Sequence, residues 1–138
     1  MADLDANLGV LARAEPARLK AFAETLIADL GQIEVLRSRT GLVMLPMRDT
    51  AGGVAFHLGE VLVSEAHIRR GEIDGYGMRR GHDLEASMAM ALVDLALSSD
   101  VRAVECAAFC AREAKVLDTQ DADLMRRVEA TRVDMETF

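Results

Sequence analysis

The chain has 138 residues, of which 51% are hydrophobic and 28% charged, and its mean hydropathy is +0.12. These values predict one globular domain over residues 1–138 and exclude a disordered chain, which needs far fewer aliphatic side chains. The net charge of −7 argues against nucleic-acid binding through bulk positive charge. No apolar run is long enough to span a membrane, and the acidic start lacks the basic region of a secretory signal, so we expect a cytoplasmic protein.

Two helices are predicted at the start of the chain. Leu4, Leu8 and Leu11 recur at i, i+4 and i+7, which is the spacing of a short amphipathic helix. Pro16 suits the first turn of a second helix, which ends at Gly31. The apolar stripe of this second helix consists of Leu19, Phe22, Ala23, Leu26, Ile27 and Leu30.

The middle of the chain predicts an antiparallel meander of about four or five strands. The strand-like segments are 33–40, 42–47, 54–58, 61–70 and 76–80, with a loop over 49–53. Gly41 separates the first two segments, and a bend or bulge is expected at Gly59-Glu60. Pro46 has no amide to donate, so its strand should lie at the edge of the sheet or end there.

The helical period returns from His82. Between Met88 and Leu97 the only charged residue is Asp94, so this helix should be covered on both sides. The sheet would cover one side, and the N-terminal helices or a partner chain the other. Residues 101–132 predict mostly helix, with a break near Asp118-Thr119 and a new start at Asp121 or Asp123. The fold class is therefore α+β, an antiparallel sheet flanked by N-terminal and C-terminal helices.

A glycine-rich turn leads into the apolar helix and contains the candidate site residues Arg79, Arg80, Gly81 and His82. Amides at a helix N-terminus suit a phosphate-like anion, and a guanidinium would add charged donors. Successive strand residues point to opposite faces, so only one of the two arginines should reach such an anion. The structural alternative is a strand end, a glycine turn and a capping Asp83.

Other chemistry finds little support in the residues. Glu65 and His67 share one strand face, but a His/Glu metal site needs at least one more converging ligand. Cys106 and Cys110 are interpreted as small buried hydrophobic residues. We therefore expect no catalytic and no metal-binding residues in this chain. The methionines at 44, 47, 78, 88 and 90 are predicted to pack in the core, with an adaptable partner surface as the alternative.

An ordered set of segments resembles the PhnG family, whose members are subunits of the bacterial phosphonate carbon–phosphorus lyase system. The segments are Arg39-Thr-Gly-Leu-Val43, Phe56-His-Leu-Gly-Glu-Val-Leu-Val-Ser-Glu-Ala66, Gly75-Tyr-Gly with Arg80-Gly-His-Asp83, and Ala89-Met-Ala-Leu-Val-Asp-Leu95. Leu11-Ala-Arg-Ala-Glu-Pro16 and Thr131-Arg-Val-Asp134 extend the resemblance towards both ends. The chain departs from the family at His82, where the family usually has Arg, and in the tail, which lacks the two usual aromatic residues.

The resemblance implies an accessory subunit that is not catalytic alone. With PhnH, PhnI and PhnL, such a subunit is associated with attack of a phosphonate on C1′ of the ribose of ATP. Adenine leaves, and the product is α-D-ribose 1-methylphosphonate 5-triphosphate. A related core assembly with PhnH, PhnI and PhnJ contains the radical lyase subunit. In that family PhnI looks like the glycosyl-transfer catalyst. The resemblance further implies that ATP is a substrate of the complex and that this chain itself binds no cofactor.

Two other functions remain open from the residues alone. The first is a stand-alone small-molecule or phosphate-binding domain, with its pocket at the Gly81 turn. The second is a free enzyme with a His/Glu metal site. A complex subunit should instead expose apolar surface until its partner binds, and when isolated it could form a homo-oligomer. Which phosphonates are processed is left open by the sequence.

Overall fold

The computed structural model describes residues 4–48 and 55–136, and the side chains of residues 6–44 and 59–131. The predicted loop over 49–53 lies outside the described residues. Within them the α+β class is confirmed, with helices on both sides of the strands in chain order. The elements are α1 (Leu4–Arg13), α2 (Pro16–Leu30), β1 (Glu34–Arg48), β2 (Ala55–Arg70), β3 (Ile73–Arg80), α3 (Leu84–Ser98) and α4 (Ala103–Glu136).

The described strands form one antiparallel sheet in the order β1-β2-β3, so the prediction of four or five strands was wrong. Two predicted breaks are absent because both glycines pair within the ladder, Gly41 with Val63 and Gly59 with Leu45. The register shifts after Leu45, which leaves one extra residue on β2 beside Gly59, close to the predicted bulge. Pro46 lies in β1, an edge strand of this sheet, where its missing amide is tolerated.

Helix α3 packs directly on the backbone of β3. A Cβ atom added to Gly77 would lie 2.2 Å from the carbonyl oxygen of Ser87, and one added to Gly75 would lie 2.5 Å from that of Ala91. Only glycine permits so close an approach. The hydroxyl of Ser87 also donates to the Ser64 carbonyl at 3.0 Å, which ties α3 to β2 through a buried polar contact. Small residues thus set the distance between helix and sheet.

Helices α1 and α2 cover the other side of α3. The buried residues of α2 are Leu19, Ala23, Leu26 and Leu30, and they join Leu11 of α1 and residues 89–93, 95 and 96 of α3 in one core. The prediction that α3 is covered on both sides is confirmed, and the N-terminal helices supply the second cover. The apolar character of α3 is therefore satisfied within the chain and does not itself call for a partner.

Asp94 explains the single charge in this apolar helix. Its carboxylate accepts a hydrogen bond from the backbone amide of Tyr76 at 2.9 Å. Strand β3 is an edge strand of the described sheet, and edge strands carry amides without a ladder partner. Burial raises the pKa of Asp94, although the Tyr76 amide favours the charged form. The buried carboxylate therefore satisfies an amide that would otherwise have no partner.

Helix α4 is continuous, so the predicted break near Asp118-Thr119 was wrong. No glycine or proline interrupts it, and the Thr119 hydroxyl donates to the Lys115 carbonyl one turn earlier, a bond that is compatible with a helix. Its first half packs on the N-terminal helices. Phe109 stacks on Phe22 of α2, with ring centroids 4.6 Å apart.

Buried polar and thiol groups mark the packed half of α4. Glu113 is 4% exposed and accepts from the Arg18 guanidinium at 2.9 and 3.0 Å, and this contact lowers the pKa of the carboxyl. Cys106 and Cys110 are buried, as predicted, and burial raises the pKa of each thiol to about 11. Residues 118–131 are exposed.

Two segments extend beyond the packed part of the molecule, which we call the body. The hairpin arm comprises residues 41–48 and 55–62, where β1 and β2 continue past the end of β3. The helix arm comprises residues 122–136, which are the last part of α4. The whole of α4 is about 50 Å long at a rise of 1.5 Å per residue. Their exposed apolar residues include Leu42, Val43, Met44 and Leu62 on the hairpin and Leu124, Met125 and Val128 on the helix. In the part of the chain described here, no helix is long and apolar enough to cross a membrane.

Candidate functional site

The four candidate residues lie together where β3 ends and α3 is about to begin. Gly81 has φ +94°, a left-handed conformation that favours glycine, and its amide donates to the Leu62 carbonyl at 2.9 Å. As predicted, the two arginines separate to opposite faces of the sheet. Arg79 points towards the helices, whereas Arg80 and His82 are exposed.

Arg79 holds the end of α1. Its guanidinium donates to the carbonyl of Leu11 and, at 2.7 Å, to that of Ala14. The first carbonyl belongs to the last turn of α1 and the second to the residue just after the helix, where carbonyls have no partner inside the helix. Burial lowers the pKa of Arg79, and Asp83 and Glu15 oppose that shift. The side chain therefore stabilises the corner between α1 and α2.

The N-terminus of α3 already holds a carboxylate. Asp83 accepts from the Ala86 amide at 3.1 Å and lies 2.8 Å from the ammonium of Lys20. Lys20 and the Ala86 amide lower the pKa of Asp83, which keeps it charged. A phosphate placed at this N-terminus would face that negative charge, and Glu85 adds another in the first turn. The capping role that the sequence offered as the alternative is present, and anion binding by these four residues stays a prediction.

Of the two neighbouring arginines, Arg79 and Arg80, only Arg80 has a guanidinium that is free to bind a ligand or a partner. Its side chain makes no ion pair and no hydrogen bond to any described residue, and it lies on the sheet face away from α3. Arg80 pairs with Val63, and Gly41 occupies the same row on β1. An open cavity of about 690 Å³ adjoins this row. Its lining residues are Ala12, Arg13, Val63, Met78, Arg79, Arg80, Leu117 and Gln120.

The same sheet face carries the predicted Glu65 and His67 side by side. Glu65 pairs with Arg37 at 3.0 Å, and His67 contacts Asp74 at 3.1 Å. Arg69 and then His67 lower the pKa of Asp74 to about 2. Each carboxylate is thus neutralised by a cation on or beside its strand. Among the described residues, no three His, Cys, Asp or Glu side chains converge as metal ligands would.

A second open cavity continues the first across the sheet. It has a volume of about 290 Å³ and shares Val63 and Met78 with the larger one. We call the combined feature the arm groove. The residues of its floor are Arg39, Gly41, Val43, Val63, Glu65, Met78 and Arg80, and those of its wall are Ala12, Arg13, Leu117 and Gln120. The groove lies between the bases of the two arms.

Sequence reasoning missed most of this groove. Leu124 and Val128 follow Leu117 at i+7 and i+11, a spacing that places all three on one helix face. This pattern was readable in the sequence. The position of Arg39 near Arg80 was not, because it depends on the register of two strand pairs.

Comparisons with known proteins agree with the resemblance noted in the sequence. The model of the family described as "Phosphonate metabolism protein PhnG" matches residues 5–138. The chain is also 34% identical over 135 residues to the alpha-D-ribose 1-methylphosphonate 5-triphosphate synthase subunit PhnG of Rhizobium meliloti (strain 1021). That match covers 96% of this chain and 85% of the relative. The order of the matching segments, the extent of the family match and this identity together place the chain in the PhnG family of phosphonate metabolism proteins.

Proposed function

We propose that this chain is an accessory subunit of the phosphonate carbon–phosphorus lyase pathway. It is needed when a phosphonate is transferred to C1′ of the ribose of ATP and adenine is released. The observation that carries this proposal is the apolar surface of the two arms, in a chain whose relative is a synthase subunit. A subunit that works in a complex exposes such surface until its partners bind.

The described side chains support a role beside the catalyst. Displacement at C1′ requires a positioned phosphonate, a stabilised oxocarbenium-like centre and help for the departing adenine. The hydroxyls of Ser64 and Ser87 are buried and bonded to each other, and both thiols are buried with raised pKa values. These four hydroxyl and thiol groups are thus held inside the body. Positioning of a neighbouring subunit and exclusion of water remain as contributions.

PhnI is the proposed direct neighbour, and PhnH, PhnJ and PhnL are further members of the system, which operates in the cytoplasm. In this proposal the turn containing Arg79, Arg80, Gly81 and His82 lies towards PhnI. Arg80 influences the anionic substrate or the interface, since its guanidinium is exposed and has no partner among the described residues. Arg79 acts indirectly by holding α1 against the turn.

The test is co-expression with PhnI from the same source, followed by affinity purification and light scattering. We expect a defined hetero-oligomer. With the full set of synthase subunits, release of adenine from ATP and a phosphonate should depend on this chain. Adenine release at the same rate without the chain would contradict the proposal. A stable monomer that does not associate with PhnI but binds inorganic phosphate would favour the stand-alone binding domain instead.

A further inference from the structure

The arm groove joins apolar surface from the sheet to apolar surface from α4. Val63 and Met78 lie in both cavities of the groove, so its floor is continuous across the strands. Leu117 closes one side and is only 9% exposed. Along the groove, Val43 is 42% exposed and Leu42 is 62% exposed. Exposed apolar side chains therefore continue from the body onto the start of the hairpin arm.

The wall of the groove continues onto the helix arm. Leu117 and Gln120 line the groove, and the neighbouring Asp121 pairs with Arg13 at 3.0 Å, so this face of α4 is the one turned towards α1. Leu124 and Val128 share the face, at 54% and 51% exposure. The stripe that packs inside the body thus extends beyond it with no surface of the described chain to cover it.

The floor carries two arginines without an ion-pair partner among the described residues, and the carboxylate of Glu65 beside them is paired with Arg37. The guanidinium groups of Arg39 and Arg80 form no ion pair and no hydrogen bond with a described residue, whereas those of Arg37 and Arg69 on the same face are paired. The whole chain carries a formal charge of −7, so these two cations stand out against it. A ligand that fits the groove would bring both apolar side chains and carboxylates.

We propose that the arm groove binds an apolar segment of a companion subunit, and that this segment also contacts the inner faces of the two arms, meaning the faces that adjoin the groove. Carboxylates that flank the segment pair with Arg39 and Arg80. The inference rests on the proposed function and adds to it the surface and the chemistry of the partner. A companion subunit suits the groove better than a second copy, because two chains of charge −7 repel each other. A groove of two open cavities between extended arms also fits a polypeptide segment better than a small molecule, which binds in an enclosed pocket.

The test compares matched double variants in co-expression with PhnI from the same source. Leu124→Glu with Val128→Glu places two carboxylates on the inner face of the helix arm. Ala122→Glu with Ala130→Glu adds the same charge to the opposite, exposed face of the same helix. We expect the first pair to weaken the complex more than about 100-fold and the second to leave it within about threefold of the unaltered chain.

The charged floor is tested separately. Arg39→Glu with Arg80→Glu should weaken the complex about tenfold or more, and raised ionic strength should reduce the difference from the unaltered chain. Lys115→Glu, on an exposed face of α4 away from the groove, is the control. Circular dichroism and urea unfolding of each isolated variant separate loss of binding from loss of folding. All the altered side chains are exposed, so the variants should fold like the unaltered chain.

The outcomes distinguish the groove from the function. If the unaltered chain forms the hetero-oligomer and both groove variants form it equally well, the groove proposal is wrong and the proposed function stands. If the unaltered chain itself does not associate with PhnI, both proposals fall. If the isolated chain is a dimer that Leu124→Glu with Val128→Glu dissociates, while the hetero-oligomer is unaffected, the occupant is a second copy and the companion-subunit proposal is overturned.

Discussion

The body and the two arms use similar apolar patterns with opposite results. In α2 the leucines at 19, 26 and 30 are buried against α3. On the helix arm, Leu124 and Val128 follow the same helical spacing and stay about half exposed. The spacing of apolar residues therefore predicts which face of a helix is to be covered. It does not tell whether the cover comes from the same chain or from another.

The largest expected difference between body and arms comes from replacing glycine. Gly77→Ala places a Cβ 2.2 Å from the Ser87 carbonyl, so α3 must move off β3. We expect the free energy of unfolding to fall by about 3 kcal/mol or more, as for strong overpacking of a core. Urea unfolding of the isolated chain measures it.

Gly41→Ala is the matched control on the hairpin arm. Nothing lies within 4 Å of the Cβ that would be added there, and its φ is not positive. The change in free energy should stay within about 0.5 kcal/mol. Equal losses for both glycine variants would show that the hairpin arm belongs to the packed body after all.

The two neighbouring arginines sharpen the comparison at a single turn. Arg79→Ala removes two charged hydrogen bonds to the end of α1 and should destabilise the chain by about 2 kcal/mol. Arg80→Ala should leave stability unchanged, because its exposed guanidinium forms no ion pair and no hydrogen bond with a described residue. Thermal unfolding of the two single variants measures the difference. If Arg80→Ala were the more destabilising, the assignment of Arg80 to an intermolecular role would fail.

Asp94 offers a test inside the body that depends on pH. Asp94→Ala leaves the Tyr76 amide without its acceptor and should cost about 1–2 kcal/mol. Asp94→Asn keeps an acceptor and does not titrate.

The pH dependence of Asp94 has a defined sign. Burial raises its folded pKa above the ordinary value of 3.8. Below that ordinary value the carboxyl is protonated in both states, and as the pH rises through the folded pKa the unaltered chain loses stability. The Asn variant should therefore gain on the unaltered chain between those two pKa values. A difference that is constant with pH, followed by urea unfolding at several pH values, would contradict a raised pKa.

Removal of the helix arm should have the smallest effect on the isolated chain. A chain ending at Asp121 keeps the ion pair with Arg13 and loses exposed side chains over residues 122–131. We expect its free energy of unfolding to change by no more than about 0.5 kcal/mol, while association with PhnI is lost. A large loss of stability would place part of the arm in the body.

Local patterns predicted much of the fold. Pro16, Gly31 and the leucine stripes located α1 and α2, and the uninterrupted apolar character of α3 predicted its cover on both sides. The predicted number of strands was too high because strand ends were predicted at Gly41 and Gly59. A glycine weakens a strand but does not end it when the partner strand continues the ladder. The break predicted near Asp118 and Thr119 was wrong because neither residue prevents the helical conformation, and α4 continues through both.

The candidate site was predictable only in part. The alternation of Arg79 and Arg80 followed from strand geometry. Their different roles did not, because the partners of Arg79 are carbonyls more than 60 residues away along the chain. The floor of the arm groove likewise depends on pairing between strands, which no short segment of sequence specifies.

The buried cysteines allow the detachment of the packed half of α4 to be measured by thiol labelling. Cys106 and Cys110 face the core, and their thiol pKa values near 11 leave little thiolate at neutral pH. A thiol reagent can therefore label them only when α4 lifts away from α2 and α3, so the labelling rate reports the frequency of that opening. Motions confined to the hairpin or helix arm would leave the rate unchanged. Binding of a companion that also clamps α4 to the body would slow it.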